Sequence, residues 1–170
     1  ASGATLSLGA DTVLGALTGS GQLQITSGAI SLGNGNASST FSGAITGNTL
    51  SGLSKVGTGT LTLAGVNTFT SNMIVSAGRL HLNSGASLAS SGVSVLNGGS
   101  VSGTGSFGGT LTINNGAHLV IGSGGTLSAG TLNVAGGSTV DVALGAPSLT
   151  PLVNVTNSLT LQATQFSFTD

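Results

Sequence analysis

The apolar residues of this chain fall mostly in pairs separated by one residue, which is the alternation of β-strands rather than the spacing of a helix. Three series of such positions recur along the chain with steps of 18 to 22 residues. The first series runs through Leu61/Leu63, Leu80/Leu82, Val101, Leu119/Ile121, Val140/Val142 and Leu159/Leu161. The second runs through Met73/Val75, Val93/Val95, Leu111/Ile113, Leu132/Val134 and Val153/Val155. The third consists of the single residues Phe69, Leu88, Phe107, Leu127 and Leu149.

A period shared by three series predicts a chain wound into repeating coils. We expect an all-β fold, a right-handed parallel β-helix (β-solenoid) with three short strands in each coil of about 20 residues. The paired apolar residues should point inward and stack as ladders, with glycine and asparagine at the corners. The residues that we expect to form the buried ladder are Leu61, Leu63, Leu80, Leu82, Leu111, Ile113, Leu132 and Val134.

The N-terminal third follows the pattern less closely. Leu6/Leu8, Leu23/Ile25 and Ile45 fit the first series, and Ile30/Leu32 with Leu50 fit the second. No stretch has the composition of a linker, so residues 1–170 are predicted to form a single β-helix domain. Within this domain, residues 1–50 are expected to form less regular coils and residues 81–170 regular ones.

Composition and charge narrow the classes of function. Glycine makes up 31 of 170 residues, yet the mean hydropathy of +0.48 argues against a disordered chain. Two basic residues cannot supply the phosphate contacts of a nucleic-acid-binding protein, nor a polybasic patch for anionic lipid. No apolar run has the length of a membrane helix. Since the sequence lacks an initiator methionine and a leader, we expect a segment of a larger protein.

Residues 55–80 read KVGTGTLTLAGVNTFTSNMIVSAGRL. This stretch resembles the passenger-associated repeat of bacterial autotransporters, which has the pattern K-x-G-x-G-T-L-x-L-x-G-x-N-T-(Tyr/Phe)-T-G-x-T-x-V-x-A-G-x-L. It departs from that pattern at Ser71, Met73 and Arg79, none of which disturbs the strand alternation. Residues 98–144 are similar to the stretch that commonly follows the repeat. The repeat positions that we single out are Gly57, Gly59, Thr60, Gly65, Asn67, Thr68, Phe69, Ala77 and Gly78.

The resemblance implies a secreted passenger domain at the bacterial cell surface. Such a domain is exported by a C-terminal outer-membrane barrel of the same polypeptide, and the repeat is implicated in passenger folding and transport. The predicted function is therefore a structural stalk segment whose coils stack in sequence. An alternative is an adhesin surface that binds a second copy or a host. Its contact face would be the outward residues of the second series, with Thr112, Asn133 and Asn154 as the chosen positions.

Enzymatic and ligand-binding alternatives find little support in the sequence. Gly103, Gly105 and Gly108 match a dinucleotide-binding motif, but a strand follows them rather than a helix. The three aspartates are too dispersed for a glycosidase pair or a calcium site. A row of Thr-x-Thr triplets of the ice-binding kind is interrupted in successive coils. His118 and Asp141 should lie close together as a surface hydrogen bond. No catalytic residue, cofactor, metal or small-molecule substrate is predicted.

Overall fold

The structure is a computed structural model that describes residues 3–47, 52–146, 149–162 and 164–169. All regular elements in these ranges are β-strands. The first ten are β1 (Thr5–Leu8), β2 (Thr12–Leu14), β3 (Gln22–Ile25), β4 (Ala29–Leu32), β5 (Ser39–Phe41), β6 (Ala44–Gly47), β7 (Gly52–Lys55), β8 (Thr60–Leu63), β9 (Val66–Asn67) and β10 (Met73–Val75). The others are β11 (Gly78–Leu82), β12 (Ser87–Leu88), β13 (Gly92–Val95), β14 (Gly99–Gly103), β15 (Ser106–Ile113), β16 (His118–Ile121), β17 (Leu127–Val134), β18 (Thr139–Ala143), β19 (Val153–Leu161) and β20 (Gln165–Thr169).

These strands form three sheets in which neighbouring strands run parallel. Sheet 1 has the order β1-β3-β6. Sheet 2 follows the path β2-β4-β7-β10-β13-β15-β17-β19, with β9 and β12 attached beside it. Sheet 3 has the order β5-β8-β11-β14-β16-β18-β20. The strands of each sheet come from successive coils, at roughly 21 residues per turn. The predicted parallel β-solenoid is confirmed.

The core is a stack of like residues through the centre of the coil. In sheet 3 one row of the core continues from coil to coil. Leu61 pairs with Leu80, and Leu80 pairs with Val101. Val101 then pairs with Leu119, which pairs with Val140. All eight residues of the expected ladder are buried, none with more than 3% of its surface exposed. Each coil thus covers the apolar residues of the coil before it, so burial is shared between neighbours along the whole solenoid.

The N-terminal register differs from the prediction. Leu23 and Ile25 pair with Leu6 and Leu8 within sheet 1, and Ile45 continues that sheet rather than the first series. The first series is instead extended by Phe41, which pairs with Leu63. Short corners in this region let the same alternation satisfy either sheet, so spacing alone could not choose. Ile30/Leu32 lie in the second series as predicted, whereas Leu50 lies outside the described residues.

The last coil is also out of the predicted register. Leu159/Leu161 stack on Leu132/Val134 of the second series, and Val153/Val155 stack on Leu127/Ala129. Phe166/Phe168 take the place in the first series that was assigned to Leu159/Leu161. Leu149 is fully exposed, and Phe107 pairs with Ala129 rather than with Leu127. The physical reason is a long corner after Ala143, which delays the return of the chain to sheet 2.

Candidate functional site: polar contacts between coils of the repeat

Lys55 is buried at an inward ladder position, although it is one of two basic residues in the chain. It ends strand β7, pairs with Leu32 of the coil before and Val75 of the coil after, and is 1% exposed. Its Nζ atom donates to the carbonyl oxygens of Val56 at 2.7 Å, Gly57 at 2.8 Å and Ala77 at 3.3 Å. The ammonium group therefore closes one corner and reaches into the next coil.

The three hydrogen bonds of the Lys55 ammonium group offset part of the free energy lost when the group leaves water. Burial lowers the pKa of Lys55 below its ordinary value of 10.5, because a desolvated environment disfavours the charged form. Carbonyl oxygens that lose such a donor while buried would stay unsatisfied. The sequence held one signal of this arrangement, since Leu53 and Lys55 lie 20 residues before Met73 and Val75 of the second series. Lys55 was not assigned to the second series because that series was built from apolar residues, and lysine is charged.

Asn67 joins three successive coils. It is fully buried, and its Oδ1 atom accepts a hydrogen bond of 3.0 Å from the backbone N–H of Ile45 in the preceding coil. Its Nδ2 group donates to the carbonyl oxygen of Gly65 at 2.9 Å in its own coil and to that of Ser87 at 3.1 Å in the next. The sequence placed Asn67 at a corner because asparagine tolerates turns, and did not predict a polar link through the interior.

The glycines of the repeat lie where one coil approaches the next most closely. A Cβ atom at Gly65 would collide with the carbonyl oxygen of Gly43, and one at Gly78 with that of Gly59. Gly57 and Gly59 have the same relation to Gly33 and Ala37 of the preceding coil. Gly78 also has a φ of +64°, a backbone conformation that residues other than glycine rarely adopt. These positions exclude side chains so that the backbones can stack.

The remaining repeat residues complete the same coil. Phe69 is fully buried, and Ala77 supplies the carbonyl oxygen that Lys55 reaches. The backbone N–H of Thr68 donates to the carbonyl oxygen of Ile45 at 2.9 Å, and that of Thr60 to the hydroxyl oxygen of Ser38 at 3.0 Å. The repeat thus supplies a set of contacts between successive coils.

The predicted contact face is only partly continuous. Thr112 pairs with Ser94 on one side and Asn133 on the other, as the outward residues of the second series should. The strand pairing places Thr160 beside Asn133, whereas Asn154 pairs with Ser128 in a different row. The prediction that Asn154 belongs to this strip is wrong, because the long corner after Ala143 shifts the last coil relative to the predicted register.

Most ionisable groups of the described residues lie on the outer face of sheet 3. The Nδ1 atom of His118 lies 3.1 Å from Oδ2 of Asp141, and both side chains are partly exposed. Nδ1 of His81 lies 2.8 Å from the hydroxyl oxygen of Ser102. Within the described ranges, no three His, Cys, Asp or Glu side chains are placed to hold a metal ion. Those ranges also contain no helix that is long and apolar enough to cross a membrane.

The sequence of the repeat also matches known proteins. Residues 53–82 match the family model of the passenger-associated transport repeat. The chain is 36% identical over 129 residues to the adhesin BmaC autotransporter of Brucella suis biovar 1 (strain 1330), which covers 71% of this chain but only 4% of that protein. No solved structure matches the chain. The matched range includes Lys55 and Asn67, which join successive coils, and the chain carries an autotransporter passenger repeat segment.

Proposed function

We propose that this segment is a stalk of a passenger domain and that its coils stack in sequence to assist folding and export. A segment of this kind is secreted and lies at the bacterial cell surface. Its partner in export is the C-terminal outer-membrane barrel of the same polypeptide. No step of this function requires catalysis, because the described residues act through packing and hydrogen bonds between coils.

The observation that carries the proposal is the position of Asn67 between three coils. Its amide accepts from the coil before and donates to the coil after, so its bonds are complete only when both neighbours are in place. Lys55 has the same dependence, since the carbonyl oxygen of Ala77 arrives 22 residues later. A buried polar group without partners is costly, so each added coil removes a penalty left by the one before.

Sequential stacking gives the export step a direction. Each coil that forms outside the cell buries another row of the apolar ladder, and pulling the chain back would expose that row to water. Polar links that are satisfied in one register only also oppose sliding between coils, because a shift by one residue would move them off their partners. The folded stalk would thereby retain the part of the chain already exported.

The test is made in the full-length passenger with its barrel. Leu132→Asp puts an unpaired charge in the ladder, and Asn67→Ala removes the link between three coils. Both should slow the appearance of passenger at the cell surface and increase its digestion by external protease. Asn133→Ala, which alters the neighbouring outward residue, is the matched control. Unchanged export and protease resistance in both variants would show that stacking does not assist transport.

A second candidate function is adhesion through the outer face of sheet 2. It is favoured by the similarity to a protein named as an adhesin and by the uncharged row formed by Ile74, Ser94, Thr112 and Asn133. Surfaces without charge associate more readily than surfaces that repel each other. Thr112→Lys with Asn133→Lys should abolish cell aggregation while export stays normal. Aggregation that persists in this variant would remove the face from consideration.

A further inference from the structure

A groove crosses the outer face of sheet 3 along the axis of the solenoid. It has a volume of about 360 Å³ and is lined from strands β8, β11, β14, β16 and β18. At about 4.8 Å per strand, five strands give it a length of about 19 Å. Of the six ionisable side chains for which the structure describes the surroundings, only Asp11 and Lys55 lie away from this face. Ionisable side chains are therefore concentrated on this face in a chain that has few of them.

Arg79 is the exposed cation of the groove. It pairs with Thr60 on one side and with Ser100 on the other, both short residues, and Gly78 and Gly98 add no side chain near it. Among the described residues its guanidinium group makes one long hydrogen bond, 3.5 Å from Nε to the hydroxyl oxygen of Ser100. A guanidinium has five N–H donors, so most of them remain available for an oxyanion, which arginine holds with two parallel bonds.

The carboxylate of Asp141 does not cancel this positive end. Asp141 lies three strands away from Arg79 in the sheet, a separation of about 14 Å. That distance exceeds the Debye length of about 8 Å at physiological ionic strength. Asp141 is also paired with the imidazole of His118. An anionic group in the groove is consequently attracted to the Arg79 end.

The lining of the groove indicates the kind of polymer that fits it. Thr58 and Thr60 present hydroxyl groups, which serve as both donors and acceptors. The hydroxyl of Ser100 already donates to the carbonyl oxygen of Gly78 at 3.1 Å and accepts from Arg79. The backbone groups of sheet 3 are already bonded between strands, so the amides of a peptide in the groove would lack backbone partners. The hydroxyl groups of a polysaccharide need only the hydroxyls that the groove offers.

We propose that this groove binds a polysaccharide that bears carboxylate groups, with one carboxylate held by Arg79. The chain has no Trp or Tyr to stack on sugar rings, so binding depends on the charge and the hydroxyl groups. Affinity at one groove is then modest and sensitive to salt. This role is separate from stacking of the coils, because the side chains of Arg79 and Thr60 point away from the ladder.

The experiment titrates the 170-residue chain with a short oligogalacturonate and follows binding by calorimetry and by backbone amide resonances. Resonances of Thr60, Arg79 and Ser100 should shift together, and Arg79→Gln should weaken binding at least about tenfold. The double variant with Asp11→Asn restores the net charge without restoring the groove, so it should bind as weakly as Arg79→Gln. Recovery of binding in the double variant would overturn the site in favour of a general charge effect.

Further probes distinguish the source of the anion. The methyl ester of the same oligogalacturonate keeps the sugar chain but removes the charge, so it should not bind. Polyglutamate that binds as tightly as oligogalacturonate would replace the polysaccharide by an acidic peptide. Dextran sulfate that binds while oligogalacturonate does not would overturn the assignment to carboxylate. Export measured in the Arg79→Gln passenger should be normal, which separates failure of this proposal from failure of the stalk function.

Discussion

The Nζ atom of Lys55 lies 3.3 Å from the carbonyl oxygen of Ala77, which belongs to the next coil of the solenoid. A ladder built of leucine and valine thus contains one ammonium group, between Leu32 and Val75. Packing alone would be served better by an apolar residue of similar length. The lysine instead fixes which coil follows, because its third partner must come from the chain 22 residues later.

Replacing Lys55 by methionine tests this link. The change keeps the length of the side chain but leaves the carbonyl oxygens of Val56, Gly57 and Ala77 without their donor. We expect the free energy of unfolding to fall by about 1 to 3 kcal/mol, measured by urea denaturation. Leu32→Met, one coil earlier in the same ladder, is the control and should cost less than about 1.5 kcal/mol. An equal loss in the two variants would mean that the bonds of Lys55 add nothing to packing.

The lowered pKa of Lys55 predicts a dependence of stability on alkaline pH. Between the lowered value and the ordinary 10.5, the unfolded chain holds a proton that the folded chain has released. The free energy of unfolding therefore rises with pH across that window and levels off above 10.5, whereas below the window both states are protonated.

Few other groups interfere with this measurement. The chain has no Tyr or Cys, and Lys55 is its one lysine. Urea midpoints measured in steps up to pH 10.5 should rise in the wild type and stay level in Lys55→Met. A rise that persists in the variant would assign the effect to some other group.

Asn67 should tolerate substitution poorly whatever its replacement. Asn67→Ala leaves the N–H of Ile45 and the carbonyl oxygens of Gly65 and Ser87 unsatisfied, which we expect to cost about 1 to 3 kcal/mol for each group left buried without a partner. Asn67→Asp keeps the acceptor but loses both donors and buries a charge, so its loss should be larger. Thermal unfolding monitored by circular dichroism ranks the two. The opposite order would contradict the assigned orientation of the amide.

Substitutions at Leu132 and its neighbour Asn133 test which face of strand β17 is buried. Leu132 is 3% exposed in the ladder, so Leu132→Ala should lower the free energy of unfolding by about 2 to 5 kcal/mol. Asn133 lies on the outer face, and Asn133→Ala should change it by no more than about 0.5 kcal/mol. Similar losses from both changes would mean that the strand is turned over relative to the structure.

Alanine substitutions at two glycines distinguish the cost of a steric collision from the cost of an unfavourable backbone conformation. Gly78 and Gly85 both have positive φ, of +64° and +79°. A Cβ atom at Gly78 would collide with the preceding coil, whereas one at Gly85 meets nothing within 4 Å. Gly85→Ala should therefore cost only the conformational strain, about 1 to 2 kcal/mol, and Gly78→Ala clearly more. Equal denaturation midpoints for the two variants would show that close approach of the coils is not limiting.

The sequence was most informative where apolar pairs repeat without a break. Residues 61–142 follow the period closely, so the pairing of Leu80 with Leu61 and Val101 could be predicted. The last coil could not, because Leu159/Leu161 lie 19 positions after Val140/Val142, as the first series requires. Only the path of the preceding corner brings them beside Leu132/Val134, 27 positions earlier. Lys55 was missed for a different reason. A charged residue contradicts the hydrophobic pattern, and the carbonyl oxygens that compensate for it become visible only once the corner is folded.

The long corner before the last coil has a consequence for how such chains can change over time. Val140 and Phe166 pair in successive coils although 26 positions separate them, whereas Leu119 and Val140 are 21 positions apart. Residues can thus be inserted or deleted at a corner while the ladder stays in step. Lineages that diverge by such insertions will keep the same interior beneath surfaces of different length. Relatives should therefore be aligned by ladder position, since counting along the chain would set unrelated residues side by side.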